Sequence, residues 1–396
     1  MVIYQDYLFW RLIENLVIQK HFRLVNLSSD HHEVWLEPAN RKDFQLIRLK
    51  RFDIDWSNWI AQDLDASLST FESIRKQSYK PSLNILNVYI STYEPVDEWR
   101  HIVQRPLTKG RTALKTIFID KEHKTEGIVS LEEALSVSFA TLLNHLEFYH
   151  VDQMDYEQLN RIKHTVVTFA NQQIRQEREI FERGKPFFTY IFLGVQMFMF
   201  LVLELFGGST NTNTLIFFGA KVNELIYQGE WWRLITPIFL HIGFLHLLMN
   251  SFALYYIGTT VEKMYGSWRF LFIYLFAGII GSFLSFVFSP AISAGASGSI
   301  FGLFGSLLLL GIMKPNLFFR TIGPNILIVI AINLALGFTI PNVDNAGHIG
   351  GLMGGFIAAL IVQLPKMSRL FLRLVGVILS IGLVYGLFYY SFYLGS

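Results

Sequence analysis

Gly295-Ala296-Ser297-Gly298-Ser299-Ile300-Phe301-Gly302 opens an apolar run that continues to Met313, and Gly347-His348-Ile349-Gly350-Gly351 opens another that continues to Leu364. Apolar runs of about 15–24 residues are what a helix needs to cross, or nearly cross, a bilayer. Working outward from these two, the chain from Phe187 onward holds seven: Phe187–Phe206, Leu245–Val261, Phe270–Phe288, Ser297–Met313, Ile326–Ile340, His348–Leu364 and Leu372–Tyr393. The second, fifth and sixth are short or contain polar residues, which suits helices buried among other helices.

Composition points the same way. Of 396 residues, 52% are hydrophobic and 16% charged, against about 25% charged in an average soluble domain. Part of the chain is therefore expected in lipid. A net charge of +2, with no Arg/Lys-rich run interleaved with aromatics, argues against nucleic acid as a partner. The absence of cysteine excludes disulfides, thiol nucleophiles and thiolate metal sites. Arg11, Glu14 and Lys20 interrupt any signal-peptide core, so the N-terminus is expected to stay in the cytosol.

Cytoplasmic loops collect Lys and Arg, and here every second loop is basic. Arg178, Arg183 and Lys185 precede the first run; Lys263 and Arg269 separate the second and third; Lys314 and Arg320 the fourth and fifth; Lys366, Arg369 and Arg373 the sixth and seventh. The intervening connections carry Lys221, Glu224, Glu230 and Arg233 in the long first loop, no charge in Ser289–Ala296 and only Asp344 before the sixth run. The pattern predicts a cytoplasmic N-terminus, an extracytoplasmic C-terminus, and Ser297 and His348 both near the outer side.

Glycine separates two regions: Gly110 and Gly127 are the only glycines before Gly184, and membrane helices are enriched in glycine. Residues 1–180 read as a soluble cytosolic α/β domain, 187–364 as a six-helix membrane core and 370–394 as a seventh transmembrane helix. In the first, an amphipathic stretch near Gln5–Lys20 precedes strands around Phe22–Leu27, Glu33–Glu37 and Phe44–Lys50. A helix at Trp56–Tyr79 and strands at Leu83–Ile90 and Leu114–Ile119 follow, then helices at Leu131–Tyr149 and Tyr156–Glu182. The order helix, three strands, helix, strand resembles the restriction-endonuclease-like core. Arg48 stands where that family needs an acid two positions before Lys50, so its chemistry is not expected, and a regulatory or partner-binding role is. Asp30, His31, His32 and Glu33 read as a solvated turn, since no ligand spacing supports a metal site.

Ser297 and His348 open two spans that enter from the same side, and a nucleophile with a base at matched depth is what acyl transfer needs. At about 100° per residue, Gly298, Gly302 and Gly305 share one helical face, while Gly351 and Gly355 share the direction of His348. Two such faces can pack closely, bringing the Ser297 hydroxyl within hydrogen-bonding reach of the imidazole. Taken alone, the serine reads equally as a helix serine bonded to its own backbone, whereas an intramembrane histidine is costly and points to function. His246 and Asn250, at i and i+4, lie on one face near the same end. They suit either oxyanion stabilisation or interhelical hydrogen bonding.

Gly295-Ala296-Ser297-Gly298, Gly347-His348-Ile349-Gly350-Gly351, His246 with Asn250, and Trp232-Arg233 together resemble the rhomboid intramembrane proteases in order, spacing and span assignment, over roughly Phe187–Leu364. The resemblance implies a Ser297/His348 dyad without an acidic third member and an oxyanion hole from Asn250, His246 and the Ser297 N–H. It places Phe301, Gly295, Gly298, Gly351 and His241 in support, with Trp232 and Arg233 in a structural, membrane-lying first loop. Phe301 stands where many relatives have a tyrosine stacked on the histidine. Asp344 is not expected to complete a triad. The soluble domain with a seventh span resembles the six-plus-one type of Gram-positive bacteria, some of which continue into tetratricopeptide repeats beyond the point where this sequence stops.

The expected activity is serine endopeptidase cleavage of transmembrane segments of other proteins within the bilayer, with no cofactor and no metal. A cytosolic regulator or partner of the N-terminal domain is left open. The rival reading is a catalytically inactive rhomboid-like scaffold that binds membrane proteins. A transporter would call for mid-depth charges or paired broken helices. Aspartyl and zinc intramembrane proteases fail because no span offers two aspartates and His32-Glu33-Val34-Trp35-Leu36 lacks a second histidine.

Overall fold

The computed structural model describes residues 2–38, 43–78, 80–140, 142, 156–340, 343–367 and 369–394. The chain divides into two compact units, Met1–Gln176 and Glu177–Ser396.

The first unit is a six-stranded sheet ordered β1-β2-β3-β4-β6-β5. Its strands are β1 (Arg23–Leu27), β2 (Glu33–Glu37), β3 (Leu46–Arg51), β4 (Leu83–Ile90), β5 (Leu107–Lys109) and β6 (Thr112–Ile119). The first three form an antiparallel meander, and β3, β4 and β6 run parallel. Strand β2 alternates, burying Val34 and Leu36. The central β4 is buried at almost every position, as a parallel strand covered on both faces must be.

One face packs against α1 (Val2–Glu14), α3 (Lys124–Leu135) and the start of α4 (Tyr156–Phe181) through Phe9, Leu12, Ile128, Leu131, Leu159 and Val166. The other packs against α2 (Ser57–Gln77) through Ile60, Leu64 and Phe71. The soluble α/β region is thus present, and helix, three strands, helix, strand is the observed order up to β4. Two details differ from expectation. Strand β5 was not anticipated; it is three residues long and pairs with β6 across a turn at Gly110, whose φ of +62° suits glycine. The helix expected at Leu131–Tyr149 is α3, which runs earlier and ends where Ser136 turns left-handed; residues 143–155 lie outside the described ones.

The second unit is helical. Among the described residues, four helices are long and apolar enough to cross a membrane: α5 (Phe188–Leu205), α8 (Ser267–Phe288), α11 (Asn345–Val362), and α12 (Leu370–Tyr389) with its continuation to Tyr393. The remaining expected spans are subdivided or short. The second comprises α6 (Phe244–Ala253), a π turn at Leu254–Gly258 and α7 (Thr259–Tyr265). The fourth, α9 (Ser297–Met313), has 17 residues. The fifth begins at Gly323 rather than Ile326, because α10 (Gly323–Thr339) follows a short helix, Pro315–Thr321, at a 71° bend. Pro324 cannot supply the N–H that would carry a helix through that bend. The first loop is itself built, from short helices Thr212–Phe217 and Asn223–Tyr227 and 3₁₀ turns Trp231–Leu234 and Thr236–Phe239.

Helices α8, α9 and α11 meet with almost no side chains between them. A Cβ on Gly351 would sit 2.0 Å from Gly298 O, one on Gly355 1.9 Å from Gly302 O, and one on Gly302 2.0 Å from the Ala277 Cβ. Only glycine permits backbone against backbone at this range.

Candidate active site

Ser297 is the first residue of α9. The chain reaches it through Gly295, whose φ is +153°, and Ala296, which is fully buried. A Cβ on Gly295 would lie 3.0 Å from His246 Nε2, so the loop before Ser297 lies close against that imidazole. His348 lies in the first turn of α11 and is 8% exposed. Asp344 caps this helix, its Oδ1 accepting from Gly347 N at 2.9 Å. The acid is thus engaged as an N-cap.

The Gly298–Gly351 contact sets Ser297 and His348 on adjoining first turns. The His348 ring stacks on Phe301, centroids 4.3 Å apart and planes inclined by 8°. Ser297 Oγ is not hydrogen-bonded to the imidazole here, and His348 Nδ1 has no partner. The bond foreseen from the spacing is therefore not formed, while the packing foreseen from the glycines is. Catalytic hydrogen bonds are often loose before substrate arrives.

Asn250 and His246 share a face of α6. Asn250 is buried, and its Nδ2 donates to His246 O at 2.9 Å. The amide therefore points along its own helix. His241 is fully buried, its ring 5.4 Å from that of His246, with neither nitrogen partnered.

Arg233 is buried and holds the first loop together. Its Nε donates to Glu230 Oε2 at 2.6 Å, and its Nη1 to the carbonyls of Ile216 and Ala220 at 2.8 and 2.9 Å. Trp232 points outward, 54% exposed.

Sequence reasoning missed several groups. Gly281 of α8 makes the contact three-sided, since a Cβ there would lie 2.8 Å from Gly347 O and 3.4 Å from Gly298 Cα. Gln196 is buried on α5 and donates to the Tyr274 hydroxyl at 2.9 Å; a glutamine amid an apolar run was its signal. Lys221 is fully buried; as one charge among Glu224, Glu230 and Arg233 in the first loop, nothing in the sequence set it apart. In the first unit, Glu94, Asp120 and His123 bring ligand atoms within 4.8 Å of one another. Asp120 Oδ1 already accepts from two backbone N–H groups and Glu94 is paired with Arg100. Asp30 accepts from Ser28 Oγ and His32 N, which closes the β1–β2 turn.

A polytopic helical core with a glycine-built contact at its centre, preceded by an α/β unit, defines a class, and comparison with known proteins gives it a name. The Rhomboid domain family model matches residues 228–365. The chain is similar to the Rhomboid protease GluP of Bacillus subtilis (strain 168), with 42% identity over 98% of this chain and 75% of that protein. It is also similar to the Putative rhomboid protease YdcA of the same organism, at 38% over 36% of this chain and 73% of that one. RHOMBOID-like protein 6, mitochondrial, of Arabidopsis thaliana is 40% identical over 40% of this chain and 52% of its own length. The chain belongs to the rhomboid family.

Proposed function

We propose that this protein is an intramembrane serine endopeptidase that cleaves transmembrane segments of other membrane proteins, with Ser297 as nucleophile and His348 as base. The observation that carries this is the backbone-to-backbone contact of Gly298 with Gly351, which sets the two side chains on neighbouring first turns of α9 and α11. In the reaction His348 takes the Ser297 proton as Oγ attacks the scissile carbonyl, then returns it to the leaving amine; water completes the cycle through the acyl-enzyme. Asn250, His246 and the Ser297 N–H are assigned to the oxyanion, each donor worth about 3 kcal/mol in the transition state.

Similarity to proteins named rhomboid protease supports this assignment. The alternation of basic loops supports an orientation with residues 1–180 in the cytosol, the C-terminus outside and the site opening to the outer face. The test is reconstituted full-length protein with a model transmembrane substrate. Ser297→Ala and His348→Ala should each abolish cleavage without altering helicity, and a fluorophosphonate should label Ser297 alone. Cleavage by the Ser297→Ala variant would remove the assignment. Intact substrate bound by a wild-type chain that no fluorophosphonate labels would favour the scaffold reading.

A further inference from the structure

The proposed reaction leaves Lys221 unused. This lysine lies in the first loop, fully buried. Its ammonium donates to three backbone carbonyls: Ser285 at 3.3 Å, Ser289 at 2.8 Å and Ala291 at 2.8 Å. Ser285 is in the last turn of α8, Ser289 caps that helix, and Ala291 lies in the loop that runs on to Ser297. The Lys221 backbone also pairs with Ser293 in both directions, at 2.9 and 3.2 Å. Two residues on, Asn223 Nδ2 donates to Phe286 O and Ser289 O at 3.0 and 3.2 Å. Finally, Gly295 N donates to Pro237 O at 2.9 Å. The connection from α8 to Ser297 is thus fastened to the first loop along its length, with the ammonium as the central pin.

A capping role for α8 alone would need only the carbonyls of its last turn, where a cation is favoured. The bond to Ala291 and the pairing with Ser293 reach beyond the helix. They act on the segment whose end fixes where the Ser297 peptide N–H and Oγ point. Desolvating an ammonium is expensive unless its donors are well matched, and a neutral side chain would fill the same space without that cost.

We infer that Lys221 is a positioning residue for the proposed reaction, acting through residues 289–296 to set the Ser297 N–H and hydroxyl against substrate. This rests on the proteolytic reading above. Burial pushes the Lys221 ammonium down to about 8, with Asp344 and Glu224 opposing that fall. The side chain is therefore charged at neutral pH and loses its proton just above it.

The experiment measures fluorophosphonate labelling of the full chain in detergent or proteoliposomes for wild type, Lys221→Met, Lys221→Arg and Asn223→Ala. Both the final fraction labelled and the labelling rate are read, from pH 7 to 9.5. A purely structural lysine would change the labelled fraction and the melting temperature, leaving the rate per labelled site alone. A positioning lysine slows that rate, by about 10-fold or more in Lys221→Met, with part recovered in Lys221→Arg. The wild-type rate should also fall as pH rises through the lysine's range, and the arginine variant, charged throughout, should not share that fall. A Lys221→Met protein labelled at the wild-type rate overturns the inference. If that variant does not fold, equal pH profiles of wild type and Lys221→Arg, with an unchanged rate in Asn223→Ala, overturn it instead. A wild type that no pH allows to be labelled sinks the proteolytic reading and this one with it.

Discussion

Gly351→Ala is the smallest change that should separate the two proposed catalytic groups. The new methyl carbon would lie 2.0 Å from Gly298 O, 2.7 Å from Gly298 C and 2.9 Å from Gly298 Cα. All three are backbone atoms, so no side chain can swing aside. Ordinary carbon contacts begin near about 3.4 Å, so α9 and α11 must part by about 1 Å at this level. Overpacking of this kind typically costs about 1–3 kcal/mol of stability, and the upper end is expected where the backbone itself must move. The chemistry should suffer more, since a misplacement of about 1 Å is worth about 10²-fold in rate. The assay is the labelling rate of Ser297 and cleavage of a transmembrane substrate in proteoliposomes, with thermal unfolding measured in parallel. Gly355→Ala, with a somewhat tighter clash at Gly302 one turn deeper, 1.9–2.3 Å from its O, C and Cα, should lose at least as much stability but less rate. Gly382→Ala, where nothing lies within 4 Å, should change neither. A folded Gly351→Ala protein that labels and cleaves at the wild-type rate would refute the idea that this contact sets the site.

Replacing Phe301 by leucine should slow cleavage roughly 2- to 10-fold, because the lost stacking on His348 is worth about 0.5–1.5 kcal/mol; Phe301→Tyr, which keeps the ring, should stay near wild type. Glu262→Ala should lower the unfolding temperature markedly, by an amount equivalent to about 3–5 kcal/mol if the buried N–H groups it serves are left bare, while the rate per labelled site is retained. In the first unit, burial opposes ionisation of Glu33 and Asp63, but hydrogen bonds from Arg48 outweigh it and hold both carboxyls below their ordinary values. A depressed folded value means stability that is present above the unfolded value, about 4, and lost as pH falls through the folded one. Denaturant midpoints of that unit should therefore be level from pH 7 to 5 and fall below pH 4, and Arg48→Met should be destabilised at neutral pH with a weaker acid limb.

The sequence made the membrane unit legible because its two strongest signals are physical constraints that cannot be hidden. Runs long enough to span lipid must be apolar, and helices that touch through their backbones must show glycine, as Gly298, Gly302, Gly351 and Gly355 do. The third partner in that contact, Gly281, escaped notice because α8 otherwise reads as a continuous apolar span. Span five was misjudged by three residues since Gly323-Pro324 reads as a loop, whereas the structure uses it as the first turn of α10. In the first unit, strands β2 and β4 were found at their true limits from alternation and length. Strand β5, half solvated and three residues long, carries neither signal. The hydroxyl–imidazole hydrogen bond could not be read from spacing at all, because helix periodicity fixes which faces meet and leaves the last ångström to side-chain torsions.

What the sequence could least show is how the buried charges of the membrane unit are satisfied. Glu262, fully buried, accepts from the backbone N–H groups of Phe187, Phe188 and Thr189 and from the Thr189 hydroxyl, at 2.7–2.9 Å. It supplies acceptors to the start of α5, which has no capping side chain of its own. Arg233 serves carbonyls of the first loop, and Lys221 those at the end of α8. Each charge meets backbone groups that water would serve in a soluble protein and that lipid cannot. A helix end or loop inside a bilayer must import its solvent as side chains, and these three are that solvent. By contrast, His241 and the Nδ1 of His348 are buried with hydrogen-bonding capacity unspent. On the proposed reading, the imidazole of His348 would spend that capacity in the reaction.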